Sequence, residues 1–354
     1  MKVYIDARWT RTDYYDGISR YTANLTEAFA KIHPVTMLIY NKKQLKLLPK
    51  DVPYILVNNP LSPRELLLGH KLNKLGADVV FNPLQTMGSI GKKYKLILTV
   101  QDLTYYDHPK PPTFLPGPVR LIWWLFHQAY WPQRLLLKSA DSIATVSHTS
   151  KKYIKKHRLT NKPIYVIYNA PTAKKYLKPS LDTKKDILYM GSFMPYKNVE
   201  TLIEGMANLP DYTLHLLTKI SPSRKAKLEE IIPEKAQVIF HNGISDEVYN
   251  ELLSSATALA TASTAEGFGL PIIEAQSQSV PVICSDIEVF HEVAGSAGLF
   301  FKTNLPEGFA ESVKTLENLK VRKELIKKGL EHSVKFNWQN SAKNLKEAMD
   351  KLVN

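Results

Sequence analysis

The sequence predicts an α/β protein with two domains, each a mostly parallel sheet covered by helices. The 354 residues are enough for two separate hydrophobic cores. Short β-rich runs alternate with amphipathic helical patterns along the chain, as in doubly wound folds. Residues 172–185 are rich in lysine and proline and have no apolar period, so they are predicted to link the two domains.

The first domain is predicted to open with a strand over residues 2–7, a polar loop, a turn at Gly17 and a helix from Ile18 to about Ile32. A strand, a glycine turn and a helix in this order often place a ligand loop in doubly wound domains. Further strands are predicted at Thr36–Tyr40, Tyr54–Val57, Val79–Asn82, Lys95–Val100, Ala140–Ser147 and Ile164–Tyr168, with helices near Pro63–Leu75 and Lys151–His157.

Gln101 and Asp102 follow the strand predicted at Lys95–Val100. Ligands gather outside the carboxyl ends of strands in open parallel sheets, so both residues are candidates for a site. The amide of Gln101 can hydrogen-bond a hydroxyl group but cannot take up a proton, which argues against a general base there. Asp102 could orient the loop or act on an acceptor.

The segment Pro109–Leu137 combines several prolines with a helical run that holds Trp123, Trp124 and Trp131, three of the five tryptophans. Tryptophan beside basic residues is typical of a membrane interface, which would suit a lipid-linked acceptor. The alternative is a helix packed across the first sheet. We favour this second interpretation because the helix is apolar nearly all round.

The second domain is predicted to follow the linker. Its strands are expected at Asp186–Met190, Tyr212–Leu217, Gln237–Phe240 and Ala258–Thr261, and its helices near Leu202–Met206, Asp246–Ala256, Phe309–Asn318 and Val321–Lys335, before a last helix at Asn340–Leu352.

The segment Ala262–Ala275, reading ASTAEGFGLPIIEA, is predicted to connect a strand to a helix. Its glycines let backbone N–H groups approach a ligand, and a helix start is a seat for phosphate. Pro271 is predicted at the first helical position and Glu274 in the first turn. Because Glu266 and Glu274 would repel phosphate, we expect them to face neutral hydroxyl groups. A nucleotide-diphosphate sugar fits this layout, and an ordinary strand–turn–helix connection is the alternative.

Composition narrows the choice of partners. The net charge of +14 fits nucleic acid, anionic lipid or an anionic small substrate. The densest basic cluster, Lys151–Arg158, has neither zinc-finger spacing nor an aromatic RNA-binding signature, so we expect no nucleic acid partner. The single cysteine, Cys284, excludes an internal disulfide and is predicted to lie in the core.

The chain opens directly on a strand pattern, without the layout of a signal peptide, and contains no run of 18 apolar residues. We therefore expect a cytoplasmic protein. An anionic membrane surface is a further expected partner, with the protein peripheral on the inner face of the cell membrane.

The motif E-G-F-G-L-P-x-x-E over residues 266–274 resembles the signature of the family 4 retaining glycosyltransferases. The runs Phe240–Asp246 and Val280–Ser285 resemble the segments that flank this signature in the family. Near the N-terminus, Asp16–Tyr21 resembles the G-I-x-R-Y loop of a branch rich in mannosyltransferases.

The resemblance implies the GT-B fold, in which two Rossmann-like domains face a central cleft. Residues 1–171 would form the acceptor-binding domain and residues 184–336 the nucleotide-sugar-binding domain. The C-terminal helix, 337–354, would pack back on the first domain.

The resemblance also implies an activity. The protein would transfer a hexose, with mannose from GDP-mannose as the first choice, to a hydroxyl group of a glycan or lipid-linked acceptor. The reaction would retain the anomeric configuration and would need neither a metal ion nor another cofactor. The alternative is a catalytically degenerate homologue that binds a sugar nucleotide or serves as a partner subunit. Gln101 and Ser192 motivate it, because many relatives carry histidine and arginine there.

The resemblance assigns roles to individual residues. Glu274 would hold the ribose and Glu266 the transferred sugar, while Lys197 would stabilise the leaving diphosphate. The catalytic candidates are Glu266, Lys197, Asp102 and Gln101. The donor-binding candidates are Gly17, Gly191, Ser192, Lys197, Asn198, Gly243, Glu266, Gly267, Phe268, Gly269, Leu270 and Glu274. The acceptor-binding candidates are Arg8, Gly17, Arg20 and Gln101.

Overall fold

A computed structural model describes residues 1–13, 16–111, 117–172 and 184–353. The chain divides into two compact units, Met1–Asn169 with Asn337–Asn354, and Ala170–Phe336. Most of the predicted linker, residues 173–183, lies outside the described residues.

The first unit is built on a seven-stranded sheet. Its strands are β1 (Val3–Asp6), β2 (Val35–Ile39), β3 (Tyr54–Leu56), β4 (Val79–Asn82), β5 (Lys95–Val100), β6 (Ser142–Thr145) and β7 (Ile164–Val166). All neighbouring strands are parallel, in the order β3-β2-β1-β4-β5-β6-β7. The strand order reverses between β1 and β4, which is where doubly wound sheets place ligands.

Helices cover the first sheet. Asp16 begins the first of them, because its side chain accepts a hydrogen bond from the backbone N–H of Ser19. The helices are α1 (Gly17–Ala30), α2 (Leu68–Lys74), α3 (Thr104–Asp107), α4 (Gly117–Phe126), α5 (Trp131–Leu137) and α6 (His148–Lys156). Short 3₁₀ turns occur at Lys42–Lys46 and Pro63–Leu67.

The second unit contains a six-stranded parallel sheet. Its strands are β8 (Asp186–Tyr189), β9 (Thr213–Leu216), β10 (Gln237–Phe240), β11 (Ala258–Thr261), β12 (Val282–Ser285) and β13 (Gly298–Phe301). Their order is β10-β9-β8-β11-β12-β13, with the reversal between β8 and β11. The two parallel sheets confirm the predicted α/β fold class.

The helices of the second unit follow the strands in alternation. They are α7 (Val199–Gly205), α8 (Pro222–Glu229), α9 (Asp246–Ser255), α10 (Leu270–Ser277), α11 (Glu288–Ala294), α12 (Pro306–Thr315) and α13 (Leu319–Ser333). Short 3₁₀ turns occur at Pro195–Lys197, Met206–Asn208 and Gly295–Ala297.

The last helix, α14 (Trp338–Val353), belongs to the first unit. Its first residue, Trp338, meets Tyr21 of α1 edge to face, with ring centroids 5.9 Å apart. The hydroxyl of Ser341 donates a hydrogen bond of 2.7 Å to the carbonyl of Tyr168. Through these contacts the chain terminus completes the core of the unit in which the chain begins.

The preferred interpretation of the segment Pro109–Leu137, a helix packed across the first sheet, holds for α5, whose Leu137 is buried in the core beside β5 and β6, but not for α4. Within its described part, α4 contains no buried residue, although it is apolar over most of its length. The segment also forms two helices, α4 and α5, because α5 starts afresh with Pro132 in its first turn. Residues 112–116, which hold two of the prolines, lie outside the described residues.

Cys284 lies in β12 and is fully buried, which confirms the core position predicted for it. Burial raises the pKa of its thiol, because the thiolate would be stripped of water. Among the described residues no helix is both long and apolar enough to cross a membrane.

Candidate functional site

The strongest candidate site lies at the carboxyl ends of β8 and β11. These strands are hydrogen-bonded neighbours on either side of the reversal in strand order. The loop after β8 carries the predicted residues Gly191–Asn198, and the loop after β11 carries Glu266–Gly269. Because the two strands are parallel and paired, both loops leave the sheet at the same edge.

Lys197 and Glu266 meet at this edge as an ion pair. Their side chains are 16% and 17% exposed, so the pair is largely withdrawn from water and still reachable. Ser263 donates a 2.9 Å hydrogen bond to the same carboxylate oxygen, Oε1, that Lys197 contacts. The lysine Nζ also lies 5.3 Å from the ring centre of Tyr196. Both charges were predicted in the site, but their pairing was not.

The position of Lys197 follows from the short 3₁₀ turn Pro195–Lys197. The turn ends at Asn198, whose φ of +51° puts it in the left-handed region that asparagine tolerates better than most residues. The turn is tied to the other loop by the N–H of Thr264, which donates a 2.8 Å hydrogen bond to the carbonyl of Tyr196. The backbone of Lys197 is therefore fixed by its own turn and by the loop after β11.

The turn before α10 depends on Gly269. Its φ is +102°, and a Cβ there would lie 2.9 Å from a ring carbon of Phe290. The left-handed glycine starts the helix at Leu270, so Pro271 is the second helical residue and not the first. Consequently Glu274 lies beyond the first turn, contrary to the prediction.

Among the described residues no side chain caps the start of α10. Pro271 has no N–H and the N–H of Ile272 donates to the carbonyl of Gly269, so Leu270 carries the helical N–H that a phosphate could receive. Glu274 is half-buried one turn further along. Phe268 points inward instead: its side chain is 4% exposed and meets Phe336 edge to face at 5.6 Å. Any contact of Phe268 with a donor would therefore have to come from its backbone.

The loop around Gly191 and Ser192 is fixed by buried polar groups. The hydroxyl of Tyr189 donates a 2.6 Å hydrogen bond to the carbonyl of Ser192, and that of Thr218 donates to the carbonyl of Gly191. A Cβ on Gly191 would lie 2.7 Å from the Tyr189 hydroxyl oxygen. Burial, and after it the charge of Glu266, raises the pKa of Tyr189 well above its usual value, so this tyrosine remains a neutral donor.

Arg224 is a charged residue of this site that the sequence analysis did not single out. It lies in the first turn of α8, its Nε donates a 3.1 Å hydrogen bond to the carbonyl of Phe193, and its Nη2 lies 2.5 Å from Glu200. The loop that has serine at position 192 thus receives a guanidinium from another helix. The one signal in the sequence was Ser192 itself, because many relatives carry arginine there and a serine suggests that an arginine from another element takes its place.

Gly243 stands apart from the Lys197–Glu266 pair along the sheet. It follows the edge strand β10, which β9 separates from β8. Its φ is +99°, and a Cβ there would lie 2.8 Å from the side chain of Lys219, so the backbone alone explains the glycine. Its donor-binding role stays a prediction.

In the first unit, Arg8 belongs to a buried network of ion pairs. Its side chain is fully buried and pairs with Asp6 at 2.8 Å and with Glu65 at 2.5 Å. Burial alone would raise the pKa of Glu65, but the hydrogen bonds and charge of Arg8 outweigh it and lower that pKa. This burial speaks against the acceptor-binding role predicted for Arg8 and gives it a structural one.

The other candidates of the first unit lie at the carboxyl edge of its sheet. Gly17 is exposed as the first residue of α1, and among the described residues no atom lies within 4 Å of a Cβ placed on it. Arg20, one turn later, is half-buried. The amide of Gln101 donates a 2.9 Å hydrogen bond to the carbonyl of Pro83, and the carboxylate of Asp102 accepts one of 2.9 Å from the N–H of Thr104.

Two family models match the chain. Residues 15–171 match the model described as Glycosyltransferase Family 4, and residues 172–332 match the model described as Glycosyl transferases group 1. The matches adjoin, and the second contains the whole Lys197–Glu266 site. The chain belongs to glycosyltransferase family 4.

This family 4 glycosyltransferase is 28% identical over 190 residues to the O-antigen chain mannosyltransferase RfbU of Salmonella typhimurium. The match covers 52% of this chain and 54% of that relative, so the chain spans about half the length of the curated relative.

Solved structures of the GT-B class resemble this glycosyltransferase over nearly its whole length. A sucrose-phosphate synthase from Thermosynechococcus elongatus matches with a TM-score of 0.76 at 18% identity, covering 99% of both chains. Anabaena HepE in complex with UDP and glucose matches with a TM-score of 0.75 at 16% identity, again covering 99% of both chains. At such identities the likeness shows the fold alone, and it confirms the predicted GT-B class.

Proposed function

We propose that the protein is a retaining glycosyltransferase that moves a hexose from a nucleotide-diphosphate sugar to a hydroxyl group of a glycan or lipid-linked acceptor. The observation that carries the proposal is the partly exposed Lys197–Glu266 pair between the carboxyl ends of β8 and β11. The loop after β11, which carries Glu266, leads directly into the start of α10, so a cation, a carboxylate and a helix start share this edge of the sheet.

Lys197 is assigned to the leaving group. When the bond between the sugar and the diphosphate breaks, negative charge grows on the phosphate oxygen, and a fixed ammonium in a largely dehydrated site stabilises it. Before the donor binds, Glu266 compensates the charge of Lys197. A bound diphosphate would compete for the ammonium and leave the carboxylate to sugar hydroxyl groups.

The two glutamates are assigned to neutral parts of the donor. Carboxylates accept hydrogen bonds from hydroxyl groups but repel phosphate, so Glu266 suits the hexose and Glu274 suits the ribose. The start of α10 lies between them in sequence and suits the phosphates. We propose that Lys197 and the start of α10 take the role that a divalent cation plays in other transferases.

The proposed step balances without a protein base. The anomeric carbon loses its bond to the phosphate oxygen and gains a bond to the acceptor oxygen on the same face. The acceptor's proton passes to the departing phosphate oxygen. The neutral amide of Gln101 is compatible with this route, because no side chain at that position has to take up a proton.

Mannose from GDP-mannose is the proposed first choice of donor. Its support is the G-I-x-R-Y-like loop Asp16–Tyr21 and the likeness to RfbU, an O-antigen chain mannosyltransferase. The structurally similar HepE was solved in complex with UDP and glucose, so base and sugar both have to be tested.

The test has two stages. Thermal unfolding is first measured with UDP, GDP, dTDP and their sugars, since a ligand raises the midpoint only if the native state binds it. The donor that binds is then incubated with acceptor in EDTA, and the anomeric configuration of the product is determined. A midpoint rise with GDP-mannose and an α-linked product support the proposal. Donor binding without transfer to any acceptor would favour the degenerate homologue that acts as a partner subunit.

A further inference from the structure

The first unit carries an apolar surface that faces solvent. On α4 and α5, seven large apolar side chains are between 42% and 66% exposed, and we call them the α4–α5 surface. They are Val119, Leu121, Ile122, Trp124, Leu125, Trp131 and Leu135. Scattered exposed leucines are ordinary, but a group of this size on two consecutive helices marks an interaction surface.

The inner side of the same helices is well anchored. Trp123 meets Tyr105 of α3 edge to face at 4.8 Å and His127 at 4.0 Å. Tyr106 stacks on Tyr130 at 4.3 Å. Aromatic contacts of this kind add to burial of the rings, so α4 is held against the unit by one side. The exposure of its other side is therefore a property of the folded unit and does not reflect a loose helix.

The sequence around the surface is strongly basic. Residues 108–172 contain ten lysine and arginine residues and one acidic residue, Asp141. The carboxylate of Asp141 is taken up internally, since it accepts hydrogen bonds from Lys92 at 2.6 Å and from the N–H of Leu96 at 2.8 Å. Asp107, immediately before this stretch, is a second carboxylate beside the surface, because after burial its charge raises the pKa of Tyr130. Within residues 108–172 themselves, basic side chains outnumber acidic ones ten to one.

The basic residues adjoin the apolar ones in space. Arg134 of α5 donates hydrogen bonds to the carbonyls of His157 and Arg158, at the end of α6. That end carries the exposed side chains of Lys155 and Lys156. The apolar face and the basic end of α6 therefore belong to one continuous surface.

We propose that the α4–α5 surface docks onto a bilayer that contains anionic lipid. Tryptophan and aliphatic side chains enter the interfacial layer, while lysine and arginine beside them meet the lipid phosphates. The ten residues of α4 rise about 15 Å, half the thickness of the hydrocarbon layer, so the helix lies in the interface and does not cross it. A neutral apolar partner would gain nothing from Arg134, Lys155 and Lys156, the cations that adjoin the apolar side chains.

The test is co-sedimentation of the full chain with vesicles of phosphatidylcholine alone or with about 30% phosphatidylglycerol, at low salt. The apolar variant is Ile122→Ser/Leu125→Ser, and the charge variant is Lys155→Gln/Lys156→Gln. The matched control is Leu61→Ser/Leu319→Ser, which removes two leucines that are 82% and 55% exposed elsewhere on the chain. Circular dichroism and thermal unfolding establish that each variant is folded.

We expect the wild type to bind anionic vesicles at least tenfold more tightly than neutral ones. The apolar variant should lose tenfold or more of this affinity, the charge variant should lose the preference for anionic lipid, and the control should bind as the wild type does. Equal binding to both vesicle types, or equal losses in the control, would overturn the proposal. So would a wild-type dimer in sedimentation equilibrium that the apolar variant abolishes, because a second copy would then cover the surface.

Discussion

Lys197 and Glu266 hold each other in a partly dehydrated position, although each comes from a different loop. Removing water from two charges is costly, and their attraction together with the hydrogen bond from Ser263 offsets that cost. Deleting one partner leaves the other charge uncompensated. A substitution at either position therefore has to be judged by activity and stability together.

Lys197→Ala should lower the turnover number by roughly 10²–10³-fold, because the departing phosphate loses its fixed cation. Lys197→Arg should recover part of the loss, since it keeps the charge with a different shape. Initial rates at saturating donor measure the effect. Lys185→Ala is the control, because Lys185 forms an exposed ion pair with Asp211 in the same unit. Equal losses in both alanine variants would refute the role of Lys197.

Gly269→Ala and Gly17→Ala should behave differently. Gly269 has a positive φ and close neighbours, so the alanine should cost about 1–3 kcal/mol of unfolding free energy. A Cβ at Gly17 meets no atom of the described part of the chain within 4 Å, so its alanine should change stability by less than about 0.5 kcal/mol. Urea unfolding measures both.

A loss of activity in the stable Gly17→Ala variant would show that a ligand approaches α1 closely. Unchanged activity would remove Gly17 from the site.

Single residues also mark where sequence reasoning stops. The glutamate loop could be predicted because its glycines, proline and carboxylates are neighbours in the chain. The burial of Arg8 could not be predicted in this way. It depends on an ion pair with Glu65, which is 57 positions away in the sequence and reaches Arg8 only in the folded unit. A local pattern contains no information on such a partner.

At the scale of the elements, α8 positions the loop after β8 through one side chain. Arg224 connects the carbonyl of Phe193 to the carboxylate of Glu200 on α7. The guanidinium can do this because its donors point in fixed directions. We regard Arg224 as a positioning residue for the loop that holds Lys197.

Arg224→Ala should raise the KM for the donor about tenfold with a smaller change in turnover, because the loop loses about 1.4 kcal/mol of preorganisation. Arg224→Lys should recover less than half, since it cannot bridge both acceptors. Lys227→Ala on the exposed side of α8 is the control. Steady-state kinetics with unfolding midpoints separates this outcome from general instability, and equal KM values in all three variants would contradict it.

The contact between α14 and α1 should matter for the stability of the first unit. Trp338 is 8% exposed and packs on Tyr21, whose hydroxyl donates to the carbonyl of Ile167. Trp338→Ala should cost about 3–5 kcal/mol, as truncations of buried aromatic residues do. Chemical unfolding followed by tyrosine fluorescence measures it. Trp131→Ala, which removes a side chain that is 64% exposed, should cost far less.

Several elements escaped the sequence analysis for identifiable reasons. The strand β13 is four residues long, starts with Gly298 and shows no alternation of apolar and polar residues, so no pattern marks it before it pairs with β12. The helices α8 and α11 have eight and seven residues, too short for a clear apolar period. For α4 the apolar pattern was recognised, but an all-apolar helix has the same pattern whether the folded unit buries it or leaves it exposed.

At the scale of the whole molecule, both units repeat one design. Each sheet reverses its strand order at the strand that opens the unit, β1 in one and β8 in the other. The sequence predicts a doubly wound fold class but not the order of the strands, because that order depends on contacts between distant segments. Net charge, by contrast, follows from the sequence alone, and +14 gives the molecule a long-range field.

This field should make the reaction sensitive to salt. Raising NaCl from about 50 mM to about 500 mM shortens the screening length from over 10 Å to about 4 Å. We expect kcat/KM for the anionic donor to fall several-fold while the unfolding midpoint stays nearly constant. Initial rates at low donor concentration measure this, with an uncharged osmolyte as the control for viscosity. A salt-independent kcat/KM would mean that the positive charge is distributed away from the donor's path.

The burial of Cys284 has a practical consequence. A thiol that is wholly enclosed in β12, and whose ionisation burial suppresses, should not react with maleimides while the protein is folded. A fluorophore could then be attached to a single engineered cysteine at Ile122 without first removing the native one. The wavelength of its fluorescence emission would then report whether α4 lies in water or in the lipid bilayer.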